Sequence, residues 1–290
     1  MSCPAWASTP VRKAWMVGTS PAMTKESIDM AYTNRMQERL ARGEVALCMG
    51  TRLARTAEIG MIAESCGFDA LYVDMEHCTI SLDDVAQICV AALPVGITPL
   101  VRIAGHQFDD AARLLDMGAL GIICPNVGTR AQAEAFARAC RFPPLGERSV
   151  GGAGPLQGYR ATPLGEVNKE GNAATVLIAM LETPEGIANA DSIAAVPGVD
   201  VLLIGSNDLC TAMGIPGELK SPKLRAAYED AAKACKVHGK HLGIGGIRAD
   251  VEHVAELIEL GARFVIAGSD LQYLIKSARH EVAALRKATS

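Results

Sequence analysis

Short aliphatic runs recur along this chain, each followed by a stretch whose apolar residues return at intervals of three and four. The first pattern fits a buried strand and the second one face of a helix. Predicted strands cover Val45 to Met49, Asp69 to Asp74, Thr98 to Ile103, Leu120 to Cys124, Thr175 to Leu181, Val199 to Ile204, His241 to Ile244 and Phe264 to Ala267. Helical spacing runs through Ala41 after a cap at Asn34, with Gly43 as its stop, and then covers Thr56 to Cys66. A helix to Ala92 opens at Ser81, with Asp84 spaced as in a capping box. Further helices are predicted over Asp109 to Met117, Thr129 to Cys140, onward from Pro184, over Lys223 to His238 and Asp250 to Leu260, and in the tail Leu271 to Lys287. Pro143-Pro144 stops one of them, and the Gly- and Pro-rich stretch Gly146 to Gly171 reads as a long functional or oligomer-forming loop.

Eight strands alternating with helices predict a parallel sheet closed into a (β/α)8 TIM barrel, with a doubly wound open sheet as the alternative. Residues 1–33 mix Ser, Thr, Pro and Met without a period and are expected to form an extension or arm, leaving 34–290 as the barrel domain. A length of 290 residues supplies a full core without disulfide or metal staples.

Composition narrows the function classes. Twenty-eight Lys plus Arg against 32 Asp plus Glu give a net charge of −4, which argues against nucleic acid and against a polybasic membrane anchor. No apolar stretch approaches the roughly 20 residues of a membrane span. Nine cysteines without a CxxC pair read as reduced thiols, and hence a cytoplasmic protein.

In a barrel, chemistry gathers at the C-terminal strand ends. There the sequence puts Asp74-Met-Glu76-His77, then Arg102, then Glu182, then Gly205-Ser-Asn207-Asp208. Each has an ordinary reading as an ion-pair partner, a cap or a structural histidine, but four such coincidences at one rim favour function. Two carboxylates with few soft ligands suit a hard divalent cation, Mg²⁺ first, with Mn²⁺ and Co²⁺ as alternatives. Such an ion stabilises an enolate when a C–C bond breaks in a 2-oxo acid. Arg102 then fits the oxyanion, His77 the proton, and the backbone at Asn207 and Asp208 the substrate carboxylate.

Over about 250 residues these stretches resemble the HpcH/HpaI class II pyruvate aldolases. The resemblance rests on Val73-Asp-Met-Glu-His77, Pro99-Leu-Val-Arg102, Leu114-Leu-Asp-Met-Gly-Ala119, Phe142 to Gly151, Leu181-Glu-Thr183 and Ile204 to Leu209. It implies that Glu182 and Asp208 hold the metal, that Arg102 binds the keto or enolate oxygen, and that His77 and its associated Asp116 are catalytic. It implies substrate contacts from Arg102, Asn207 and Asp208. It also implies a hexamer built as a trimer of dimers, with the C-terminal helix exchanged between neighbours. The sequence departs from the family at Met180, where Gln is frequent, at Met75, where Gly is usual, and at Asn207 in the turn. The activity implied is reversible aldol cleavage of a 4-hydroxy-2-oxo acid to pyruvate and an aldehyde. The alternatives are oxaloacetate decarboxylation, enolate transfer like that of macrophomate synthase, CoA-ester cleavage like that of the citrate lyase β subunit and, last, a non-catalytic binding barrel. Gly243-Ile-Gly-Gly-Ile reads as a tight barrel turn rather than a phosphate loop, and Cys78 as wall rather than nucleophile.

Overall fold

The computed structural model describes residues 32–247 and 250–289. Residues 1–31 of the expected extension, together with 248, 249 and 290, lie outside the described residues. Strands β1 (Ala46–Thr51), β2 (Ala70–Asp74), β3 (Thr98–Arg102), β4 (Gly121–Cys124), β5 (Val176–Leu181), β6 (Val201–Gly205), β7 (His241–Gly245) and β8 (Ala262–Ser269) are parallel. Each pairs with the next, and β8 pairs back onto β1, so the ring closes. This excludes the open-sheet alternative.

The connecting helices lie outside the ring. They are α2 (Glu58–Ser65), α3 (Leu82–Ala92), α4 (Phe108–Asp116), α5 (Arg130–Cys140), α6 (Leu164–Ala174), α7 (Pro184–Ala188), α8 (Ala190–Ala194), α9 (Ser206–Ala212), α10 (Pro222–His238) and α11 (Val251–Glu259). The capping box expected at Ser81 and Asp84 is present, and Thr129 with Gln132 forms another. A preceding helix α1 (Arg35–Ala41) seals the N-terminal end of the barrel by inserting Met36 and Leu40 among the interior side chains. Asn34, its cap, donates from Nδ2 to the carbonyls of Leu120 and Ala174 at 3.2 and 2.8 Å, stitching the plug to the residue before β4 and to the end of α6.

Two differences from the sequence reading have clear causes. The expected loop from 146 to 171 ends early, because α6 begins at Leu164 and carries Gly171 within it. A Cβ on Gly171 would meet the Phe142 ring at 2.7 Å, so glycine here answers helix packing rather than loop freedom. The helix expected from Pro184 is two short ones meeting at Asn189, whose side chain donates to the Gly128 carbonyl at 2.8 Å.

Alternation along each strand separates two cores. Outward residues such as Leu71, Val73 and Val101 pack under the helices, while Ala70, Tyr72, Leu100, Ile178, Met180, Leu203 and Phe264 fill the interior. Each large side chain so buried contributes roughly 1.5–3 kcal/mol. The same parity places Asp74 two residues after Tyr72, Arg102 two after Leu100, and Glu182 two after Met180. Apart from Thr98, whose hydroxyl is bonded to α1, the interior is therefore apolar up to its last layer and charged there.

Candidate active site

That last layer opens into a cavity of about 240 Å³ lined by Arg52, Tyr72, His77, Arg102, Met180, Glu182, Asn207, Asp208 and the backbone of Gly205, Gly245 and Gly246. Arg102, on β3, is buried. Its Nε and Nη2 donate to the two oxygens of Asp74 at 3.1 and 2.7 Å, and Nη1 stands 3.2 Å from Oε2 of Glu76. The guanidinium carbon lies 5.8 Å from the centre of the Tyr72 ring. Burial alone would raise the Asp74 carboxyl. The hydrogen bonds and charge of Arg102, with the N–H groups of His77 and Glu76, hold it below the usual range. Burial raises the Glu76 carboxyl despite Arg102. These contacts leave Arg102 further N–H donors, so it is fixed in place without being exhausted.

Glu182 follows β5 and is buried. The Asn126 N–H donates to its Oε2 at 2.9 Å. Burial, with Asp208 and Glu76 close by, pushes its carboxyl up to about 7. Arg102 makes its ion pairs with Asp74 and Glu76 and makes none with Glu182. Glu182 is thus a desolvated carboxylate facing two more, an arrangement that a cation relieves. Asp208 lies in the first turn of α9, exposed at the cavity wall beside Asn207. Among the described residues no group of three or more His, Cys, Asp or Glu side chains is arranged to hold a metal. The donor set is two carboxylates, Glu182 and Asp208, both hard oxygen ligands. It fits a divalent cation that keeps water or substrate oxygens as its other ligands.

His77 stands in the loop after β2 with its ring half exposed, and its Nε2 is 3.7 Å from Oε2 of Glu76. Glu182, Asp208, Asn207, Arg102 and His77 therefore meet in one cavity. Asp116 does not join them. It ends α4 at the opposite end of the barrel, accepts from Nη2 of Arg148 at 2.6 Å, and lines a separate cavity with Gly151 and Gly154. Met180, one of the departures, forms the apolar floor beneath Glu182.

Four contributors are absent from the sequence-based site. Asp74 and Glu76, which the sequence puts at the rim without a role, brace Arg102. Asn126 acts through its backbone. Arg52 lies outside the sequence-based set because the aliphatic run stops at Met49, whereas β1 runs to Thr51. Continuing the alternation Ala46, Cys48, Gly50 would have marked Arg52 as inward-facing.

The family model for HpcH/HpaI aldolase/citrate lyase matches residues 53–277. The chain is 39% identical over 263 residues to 4-hydroxy-4-methyl-2-oxoglutarate aldolase cghB of Chaetomium globosum, covering 89% of this chain and 97% of that protein. It is 36% identical over 248 residues to a hydroxypyruvate/pyruvate aldolase of Pseudomonas aeruginosa, covering 85% and 90%. The crystal structure of an HpcH/HpaI aldolase from Desulfitobacterium hafniense superposes with a TM-score of 0.83 at 28% identity, covering 88% and 97%.

Proposed function

The chain belongs to the HpcH/HpaI aldolase/citrate lyase family and is a carbon–carbon lyase of the aldolase type, and on that premise we propose how its own residues divide the work. The observation that carries the reading is the buried Glu182 facing Asp208 in a cavity whose one deeply buried cation, Arg102, is committed elsewhere. Glu182 and Asp208 would hold a divalent cation, with Mg²⁺ the first choice. When bound, that ion supplies Lewis-acid stabilisation of the 2-oxo oxygen.

The substrate is a 4-hydroxy-2-oxo acid. Arg102 donates to its C2 oxygen, where negative charge develops. The C4 hydroxyl proton goes to a base. The C3–C4 bond breaks, its electron pair moves into the C2–C3 bond, and the carbonyl electrons settle on the oxygen held by Arg102. C4 leaves as an aldehyde or ketone, and a proton added to C3 yields pyruvate. His77 moves these protons, oriented by Glu76. The backbone at Asn207 and Asp208 receives the pyruvyl carboxylate. The Chaetomium relative is named for a diacid whose cleavage at C3–C4 gives two pyruvates, so a ketone acceptor is included.

Asp116 and His77 stand at opposite ends of the barrel, so any pairing between them takes two chains. We propose that they pair across chains, in a trimer-of-dimers hexamer. Helix α12 (Asp270–Ala288) has no buried residue, and Leu274 and Leu285 are 57% and 64% exposed, which suits a helix that docks on a neighbour. Among the described residues no helix is long and apolar enough to cross a membrane. The described cysteines are free, in keeping with a reducing, cytoplasmic setting.

The test is pyruvate α-proton exchange in D₂O, followed by NMR with Mg²⁺, Mn²⁺, Co²⁺ or EDTA. Metal-dependent exchange that drops by at least a hundredfold in Glu182→Ala and Arg102→Ala is the expected result. Folded protein with no exchange under any metal would sink the reading.

A further inference from the structure

Arg52 is the second arginine of the cavity, and neither the chemistry above nor the pyruvyl end of the substrate uses it. It occupies the inward position that follows Ala46, Cys48 and Gly50, so it stands in the charged layer at the barrel mouth. Gly50 below it has no side chain, and a Cβ there would meet the Tyr72 ring at 2.7 Å. The column under Arg52 is thereby given to Tyr72.

Its anchoring is unusual for a surface arginine. The N–H groups of Arg52, Leu53 and Ala54 donate to the carboxylate of Asp270 at 2.9, 2.9 and 2.7 Å. On the other side, Nη1 of Arg55 donates to the carbonyls of Arg52, Leu53 and Ala54 at 3.2, 2.9 and 3.1 Å. The loop is held from both of its polar faces before any ligand arrives.

The guanidinium itself is only partly engaged. Nη2 donates to the His77 carbonyl at 3.0 Å. Nε lies 3.2 Å from Oδ2 of Asp74, yet it is buried and makes no hydrogen bond. Asp74 already accepts two bonds from Arg102 and one each from the N–H groups of Glu76 and His77, three of them on Oδ1. Arg52 is therefore a cation anchored by its ion pair to Asp74 and by one bond from Nη2, with further N–H groups left for a ligand on the cavity wall. A planar fork of that kind matches a carboxylate.

We propose that Arg52 binds the carboxylate at the far end of a dicarboxylic 4-hydroxy-2-oxo acid, the one borne by C4, and so selects diacids over monoacids. This rests on the aldolase reading above. In the reverse direction the same contact would orient a 2-oxo acid acceptor such as pyruvate or glyoxylate.

The test compares 4-hydroxy-2-oxoglutarate with 4-hydroxy-2-oxopentanoate, which carries methyl where the diacid carries its second carboxylate. Cleavage of each is followed by pyruvate release in wild type, Arg52→Gln and Arg52→Lys. In Arg52→Gln, the ratio of kcat/KM for diacid over monoacid should fall roughly tenfold to hundredfold, mainly through KM for the diacid. Arg52→Lys should restore part of that ratio. Equal losses on both substrates would mean that Arg52 acts only by steadying Asp74 and His77, and would overturn the proposal, as would an unchanged ratio. Absence of pyruvate exchange in wild type would instead overturn the aldolase reading, and the role of Arg52 with it.

Discussion

A Cβ on Gly205 would come within 2.5 Å of Glu182 Cγ and 2.6 Å of its Oε1. That glycine, ending β6, is what allows the carboxylate carried by β5 to lie flat against the next strand and face Asp208. Gly205→Ala should therefore leave the barrel folded and push Glu182 out of register, with exchange activity down at least tenfold at an almost unchanged thermal midpoint. A variant as active as wild type would show that Glu182 has room to spare. Glu76 touches both Arg102 and the proposed proton carrier. Glu76→Gln removes the charge but keeps the shape. It should lower kcat more than it raises KM.

At the scale of elements, the N-terminal end of the barrel is tied by Arg141. It donates at 2.5 and 2.9 Å to the carbonyls of Asn172 and Thr175, and at 2.8 and 2.7 Å to the Gly198 carbonyl and Asp200. One side chain thus joins the end of α6 and the starts of β5 and β6. Burial raises the Asp200 carboxyl even with this partner. Arg141→Met would leave that carboxyl without its cation, at a cost of about 3 kcal/mol, read as a lower urea midpoint. Beside it, His241 opens β7. Burial, with Lys240 and Arg263, lowers its pKa below the ordinary value, while Asp200 opposes the shift. Above about pH 6.5 the ring is neutral in both folded and unfolded chains and contributes no pH dependence. As pH falls through that value the unfolded chain takes the proton first, so stability is lost towards the lower folded pKa. Urea midpoints measured from neutral to mildly acidic pH should fall less steeply in His241→Gln; parallel curves would count against this account.

Elements were the most legible part of the sequence, because period-two and period-3.6 patterns follow from geometry that every strand and helix shares. The eight strands stood out as aliphatic runs, and Glu182, Arg102, Asp208 and His77 stood out as polar residues where those runs stop. Arg52 was harder to see. β1 crosses Gly50 and Thr51 before it ends, and both read as turn residues. The bracing of Arg102 by Asp74 depends on the pairing register, which sets these two residues side by side on β2 and β3. The start of α6 was hidden by glycines that serve packing.

At the scale of the molecule, α12 has no buried residue. A lone chain gains little from its apolar face, so the helix is expected to find its partner in another copy. Replacing Leu274 and Leu285 with Glu should lower the mass measured by light scattering while far-ultraviolet circular dichroism stays the same. An unchanged mass would remove α12 from the interface. Because α12 begins with Asp270, the residue that grips the Arg52 loop, the helix that faces outward and the arginine that faces inward share one anchor. For anyone moving substrate preference between such barrels this sets the unit of transfer. An arginine grafted alone after β1 would sit on a slack loop, whereas the arginine together with the aspartate that opens the last helix would carry its aim with it.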